Sequence, residues 1–480
     1  MLFNSYEFLL FFLVVFLFYW FVFQKKLKAQ NAFILITSYV FYGWWDWRFL
    51  GLILFSSIVD FICGLKIGKE QNSFKRKVFL GISLGVNLGL LGFFKYFNFF
   101  IASTVDLINA IGFQASPYTL QLILPVGISF YTFQTMSYTI DIYKRQMAPS
   151  KDLVAFLAFV SFFPQLMAGP IERASNLLPQ FLKSRNFDYR LAMDGMRQIL
   201  WGFFMKVVIA DNCAVFVDQA FKNPESQPSS NLLIGAVFFS FQIYGDFGGY
   251  SNIAIGSGKL LGFKLMQNFA FPYFSRDIAE FWRRWHISLS TWFRDYVYIP
   301  LGGSKGSKYL SLRNIFIIFL VSGFWHGANW TFIAWGGIHA LLFVPLYLLG
   351  KNRLNIGVVA EDSILPSFRE FSQMLLTFTL VTIAWILFRA SSISEAWNFL
   401  SHLFTVSLFS KPQMDIRVYL FIALCLIFLL LEWFGRREEF AIQRMFLSQP
   451  SWLRYGLYYG LVMAVFLFAR KEQQFIYFQF

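Results

Sequence analysis

The sequence predicts an all-α polytopic membrane protein with roughly ten to twelve transmembrane or re-entrant helices. Three observations carry this. Of the 480 residues, 57% are hydrophobic and only 14% charged, against roughly 25% charged in a soluble domain. Phenylalanine alone fills 65 positions, and mean hydropathy is +0.54. The charges that remain sit between apolar runs instead of alternating with them. A soluble chain of this length would form about three domains and would need far more polar surface. Disorder is excluded because disordered chains are aromatic-poor and charge-rich.

The first apolar run, residues 8–23, carries no charge, and Lys25, Lys26 and Lys28 follow it. A signal peptide would place its cations before the run and a small-residue cleavage site after it. The pattern therefore predicts an uncleaved span with an outward N-terminus and cytoplasmic lysines. Residues 32–42 return outward to WWDWR, an aromatic belt. Residues 50–65 come back in and deliver Lys66, Lys69, Lys75, Arg76 and Lys77 to the cytoplasm.

Further spans are predicted over residues 78–94, 120–140, 153–167, 193–209, 232–244, 315–325, 332–349, 375–388, 418–431 and 457–469. Several are shorter than the roughly 20 residues of a straight crossing. Broken or re-entrant segments are tolerated only inside protein or along a water-filled cavity. ILPVGISFYTFQ and FFPQLMAGPIER, interrupted by Gly and Pro, read as such segments. NPESQPSS reads as an exposed loop.

Basic residues exceed acidic ones by 41 to 26. Their placement in loops follows the positive-inside rule and calls for no nucleic-acid partner. The three cysteines, Cys63, Cys213 and Cys425, stand singly, without metal-ligand spacing, and read as core residues.

Ionisable residues at membrane depth are costly and become functional candidates. Residues 276–313 gather seven basic and three acidic residues with Trp282, Trp285 and Trp292. That composition predicts an amphipathic helix at the interface, aromatic face in lipid and cations toward phosphate. GGSKGSK lacks the Gly-Lys pair of a Walker A loop and reads as a cytoplasmic turn, its lysines available to headgroups or a phosphorylated ligand.

His326 follows in uncharged sequence between Trp325 and Gly327. Gly323 and Gly327, four apart, let a helix or substrate approach closely. Desolvation disfavours imidazolium, so a buried histidine stays neutral and can act as a base. His286 is its plausible partner, while His339 reads as a packing contact. No zinc-ligand set or GxSxG elbow is present. QIYGDFGGYSNIAIG places Asp246 among glycines; it reads either as a turn with a capping aspartate or as part of a substrate cavity.

Together, FFPQLMAGPIER, YGDFGGYSNIAIG, FWRRWHISLSTWFRDYVYIPLGG, SGFWHGANWTFIAWGGIHAL, AWILFRA and the terminal FIYFQF resemble the membrane-bound O-acyltransferase family. The resemblance is to its bacterial AlgI-like branch of alginate and exopolysaccharide O-acetylation, and it covers nearly the whole chain. It implies one integral-membrane domain over 1–480, with helices around a central cavity. N-terminal spans would occupy 1–145, the catalytic core 150–350 and C-terminal spans 370–480.

The family's catalytic histidine falls on His326, and its second site position falls on His286. The related DltB-like D-alanyl transferases share RWHxSLSxWFRD, whereas IPLGG and the basic loop after it favour the polysaccharide branch. Gly248 and Asn252 depart from the DFSGYSD pattern and leave Asp246 as the only acid there.

The resemblance further implies an acetyl-CoA donor that is not tightly bound and a polysaccharide acceptor. It also implies a periplasmic SGNH-hydrolase-like partner and a place in the bacterial inner membrane. His326 would be the general base and His286 would orient or polarise the thioester. Arg283, Arg284, Lys305 and Lys308 would meet the CoA phosphates, with Trp285, Arg294, Asp295, Trp325 and Asn329 as further site candidates. A transporter or flippase of a lipid-linked substrate is the rival class, since it would share the intramembrane polarity.

Overall fold

A computed structural model of the chain describes residues 1–167, 169–469 and 475–476. The described residues are helical, without strands. They form two compact units, 1–192 with 258–266, and 193–257 with 267 onward.

In the first unit α1 (Tyr6–Leu17) starts where the Ser5 side chain accepts the Phe8 N–H, supplying one partner for the unsatisfied first turn. Its path continues through a π-helical turn to Val22. The helices α2 (Leu27–Asp46) and α3 (Leu50–Lys69) reverse through a short 3₁₀ turn. There Asp46 caps the Arg48 N–H and binds its guanidinium. Asn72 caps α4 (Ser73–Leu91), which leads by another π turn into α5 (Phe97–Ala110).

No helix forms over residues 113–125. Helix α6 (Ile128–Tyr143) begins only after Gly127, whose φ of 73° is left-handed. The predicted span 120–140 is therefore half extended chain, as the Gly and Pro of ILPVGISFYTFQ suggested. The predicted span 153–167 is likewise broken, into α7 (Leu153–Ser161) and α8 (Phe163–Leu166), at Phe162. Ala168 of FFPQLMAGPIER lies outside the described residues. Helix α9 (Ala174–Phe181) follows.

Several buried polar groups of this unit pair with one another. Asp60 of α3 accepts from Ser83 at 2.6 Å and Asn87 at 2.8 Å on α4. The Thr135 hydroxyl of α6 donates to Asn87. Arg185 donates to Gln30 and Asn31 of α2. Glu172, fully buried, accepts from the Met266 N–H and from Asn176. Burial pushes its carboxyl up to about 7.

Helix α10 (Tyr189–Phe203) passes into the second unit and continues through a π-helical stretch, Phe204–Ala210, into α11 (Asp211–Lys222). Helix α12 (Ser229–Leu260) runs unbroken for 32 residues, far past the predicted 232–244. NPESQPSS is not wholly exposed: Pro224, Ser229 and Ser230 are buried, and the Ser229 hydroxyl donates to the His402 carbonyl.

Two short helices, α13 (Ile278–Arg284) and α14 (Ile287–Phe293), precede α15 (Lys308–His326) and α16 (Trp330–Leu348). A complete capping box of Ser367 and Glu370 opens α17 (Phe368–Arg389). Helices α18 (Ile393–Leu403), α19 (Val418–Gly435) and α20 (Ser451–Phe468) complete the unit.

Among the described residues nine helical segments are long and apolar enough to cross a membrane, with two shorter apolar ones, Tyr6–Val22 and Leu153–Leu166. This agrees with the expected membrane elements. Within the nine, Leu27–Lys69 runs 43 residues, about twice one crossing, and it folds back at Asp46. All three cysteines are buried and free, although Cys213 and Cys425 place their sulfurs 3.7 Å apart.

Candidate active site

Residues 276–313 do not form the predicted surface helix. Glu280, buried, accepts from Arg276, just ahead of its helix, and from Arg284, at the helix end, at 3.0 and 2.9 Å. With the cations matched from within, the segment can turn inward. Trp285 and Trp292 are buried in protein, not lipid. Trp285 stacks on Phe281 and packs against Trp385.

Between α13 and α14 the chain bends at His286, which takes φ 44° and ψ 53°. A non-glycine residue there costs roughly 1–2 kcal/mol. Asn268 holds the bend in place. Its carbonyl accepts the Ile287 N–H, its side-chain oxygen accepts the Ser288 hydroxyl at 2.6 Å, and its amide reaches Ser251 on α12. Nothing in the local sequence singled out Asn268.

The bend brings His286 toward His326, the last residue of α15. The ring centroids lie 6.1 Å apart, with 0% and 3% of each residue exposed. Aromatic rings wall both. Phe247 meets His286 edge-on at 4.7 Å, and Trp325 packs against each imidazole. Trp335 and Phe388 flank His326 at 5.2 and 5.3 Å. Burial lowers the His286 pKa to about 3, so its ring is neutral at physiological pH.

His339 lies one turn beyond Trp335 on the same helix and packs against it, as expected of a packing residue. The Trp282 indole N–H donates to its Nδ1 at 3.2 Å, which places the His339 proton on Nε2.

The glycines around His326 act as the sequence suggested. A Cβ on Gly323 would stand 2.2 Å from the Phe332 carbonyl oxygen, and one on Gly327 would strike the Phe332 ring. The partner surface was not foreseen: a Cβ on Gly336 of α16 would stand 2.3 Å from the Phe319 carbonyl oxygen. Asn329 caps α16 by accepting the Thr331 N–H and donates to the Ser391 carbonyl.

Asp246 is neither in a turn nor a cap, because α12 passes straight through it. Helix propensity yields here to packing. Gly249 and Gly256 of α12 meet the backbone of Gly202 and Gly195 of α10, where no side chain would fit. Asp246 binds the Lys206 ammonium at 2.6 Å and accepts the Ile476 N–H at 2.6 Å; Asp211 binds Lys206 at 2.8 Å. Lys206 stands in the π-helical stretch and is buried. Phe475 packs on Tyr250 and Phe247, the latter touching His286. The remaining residues of FIYFQF, 477–480, lie outside the described residues.

The proposed phosphate contacts separate. Arg284 is buried against Glu280 and the carbonyls of Ala270 and Gly357. Arg283 donates to the carbonyls of Asn352 and Asn355. Arg294 pairs with Asp295 at the surface. Lys305 is exposed in the turn ahead of α15 and Lys308 at that helix's first position, and Asn314 ties down the carbonyls of Leu301 and Gly303 in the turn.

His286 and His326 form a buried pair of imidazoles in a chain whose helices fit a bilayer, and comparison defines the class. Residues 145–349 match the model of the membrane-bound O-acyltransferase family. The chain belongs to that family and is an integral-membrane O-acyltransferase. The Probable alginate O-acetylase AlgI of Pseudomonas aeruginosa is 38% identical over 450 residues, covering 91% of this chain and 82% of that protein. The Peptidoglycan O-acetyltransferase of Helicobacter pylori is 35% identical, with 82% and 78% covered. The Teichoic acid D-alanyltransferase of Streptococcus thermophilus is 34% identical over 48% of this chain and 59% of that protein.

Proposed function

We propose that this chain transfers acetyl groups from cytoplasmic acetyl-CoA across the bacterial inner membrane for O-acetylation of an alginate-like extracytoplasmic polysaccharide. The observation that carries the reading is the facing of His286 and His326, both buried, at 6.1 Å within the family-matched region. The names of the O-acetylating relatives support the acetyl group and the polymer, and those relatives cover far more of the chain than the D-alanyl transferases do.

His326 takes the proton from the acceptor hydroxyl as that oxygen attacks the thioester carbonyl. An N–H of neutral His286 donates to the oxyanion that develops. The tetrahedral intermediate collapses with cleavage of the C–S bond. The departing thiolate takes the proton from the His326 imidazolium, so one ester and one thiol leave and the base is restored. Lys305 and Lys308, exposed around the start of α15, meet the CoA phosphates by charge-assisted contacts. The acceptor hydroxyl of this step belongs to a periplasmic SGNH-hydrolase-like partner on the far side, which passes the acetyl group to a polysaccharide hydroxyl in a second ester exchange and regains its own hydroxyl.

The test is His326→Ala in membranes supplied with radiolabelled acetyl-CoA. A general base contributes about 10²–10⁴-fold, so labelled acetyl in polymer should fall by that factor while the protein remains inserted. Unchanged incorporation would overturn the reading.

A further inference from the structure

On the flank of the second unit, α12, α17 and α19 enclose a groove of about 320 Å³ whose wall is almost wholly hydrocarbon. Phe241, Phe378 and Cys425 line its depth, and Leu375 and Leu426 are exposed at its rim. Water is held in a cavity by two to four polar partners, which this wall does not offer. All three helices are membrane spans, so the medium against the rim is lipid.

The groove runs along α17 from Phe371 to Phe378, roughly 10 Å at 1.5 Å per residue. That length fits within one leaflet of a hydrocarbon core about 30 Å thick.

One end of the groove is marked by charge. A turn beyond Leu429 on α19, Trp433 packs on Phe274 and donates its indole N–H to the Ile364 carbonyl. Tryptophan with a wet polar tip is typical of the headgroup level. Arg436 stacks on Trp433 at 4.0 Å and is spent on the carbonyls of Val359, Ala360 and Ser363. Arg369, two residues before Phe371, is exposed at this same end, as is Arg437, which donates to the single carbonyl of Glu361. An apolar slot of leaflet length that opens beside exposed guanidinium groups complements a negatively charged amphiphile.

We infer that the α12–α17–α19 groove is a binding site for an anionic glycerophospholipid, one acyl chain in the groove and its phosphate at Arg369 and Arg437. The floor gives the lipid a purpose. Tyr273 lines the groove, donates its hydroxyl to the Ser240 carbonyl, and packs on Tyr244 and on Trp285, the residue before His286. A resident chain braces that layer from the membrane side.

The experiment uses the delipidated full chain in detergent, with dioleoyl-phosphatidylglycerol and dioleoyl-phosphatidylcholine as probes of identical acyl chains. Native mass spectrometry should show one phosphatidylglycerol bound, at an affinity at least about tenfold above phosphatidylcholine, with a matching rise in melting temperature. Leu375→Trp with Leu426→Trp closes the rim and should abolish that bound lipid. Should that variant not fold, Cys425→Phe fills the slot from within. Arg369→Gln with Arg437→Gln should leave binding but erase the preference between headgroups. Retention of phosphatidylglycerol by a folded, filled-groove variant would overturn the site. Equal binding of the two lipids to the unmodified chain would overturn its anionic specificity.

Discussion

His286 occupies a backbone region that favours glycine, and Asn268 secures the bend on which it stands. Side-chain loss and backbone relief can therefore be separated. His286→Ala and His286→Gly should both lose acyl transfer, yet the glycine variant should be the more stable by about 1 kcal/mol, read as the higher melting temperature.

Two buried groups give opposite pH responses. His286, at about 3 when folded against an ordinary 6.5, releases its proton on folding. Its contribution is complete above pH 6.5 and is lost as pH falls toward 3. Glu172, at about 7 against 4.5, takes up a proton on folding. Its contribution is full below pH 4.5 and is lost as pH rises through 7. Glu172→Gln keeps an acceptor for the Met266 N–H and should flatten the decline in melting temperature between pH 5 and 7.5; an unchanged slope would refute the assignment. His326 was legible because it interrupts uncharged apolar sequence, and His286 because it stands in the charged, Trp-rich segment ahead of it, where the family's second site position falls. Lys206 was not, since its partner Asp246 lies 40 positions away and only packing joins them.

At the scale of elements, the hairpin of α15 and α16 closes on Gly323 and Gly336, each set against a carbonyl of the other helix. Gly336→Val should prevent that closure, and detergent extracts should contain little monodisperse protein by size-exclusion chromatography. Lys206→Met strands two buried carboxylates. Breaking such a pair costs about 3–5 kcal/mol, so folded yield should drop.

Apolar runs located most spans, but the glycines of DFGGYS misled. In water-soluble sequences Gly clusters signal turns, whereas along α12 they clear a path for α10. In residues 120–140 the Gly and Pro of ILPVGISFYTFQ did mark the break, since helix begins only after Gly127. In the 276–313 segment, Arg and Trp read as a surface helix because internal pairing through Glu280 is invisible to composition.

For the whole molecule, composition alone specified the membrane class, since 14% charge leaves too little polar surface for water. For orientation, we propose that the lysine-rich loops face the cytoplasm. With all three native cysteines buried, a single cysteine introduced at exposed Gln71 should react with a membrane-impermeant maleimide only after cells are opened. Labelling of intact cells would reverse the proposed topology.

The seam at Gly195, Gly202, Gly249 and Gly256 is backbone against backbone. A protein lineage cannot widen such a joint one mutation at a time, because any added carbon collides with main chain instead of a yielding side group. Adaptation to bulkier donors or acceptors is therefore channelled to the opposite wall, where Trp325, Trp335 and Phe388 can be trimmed individually.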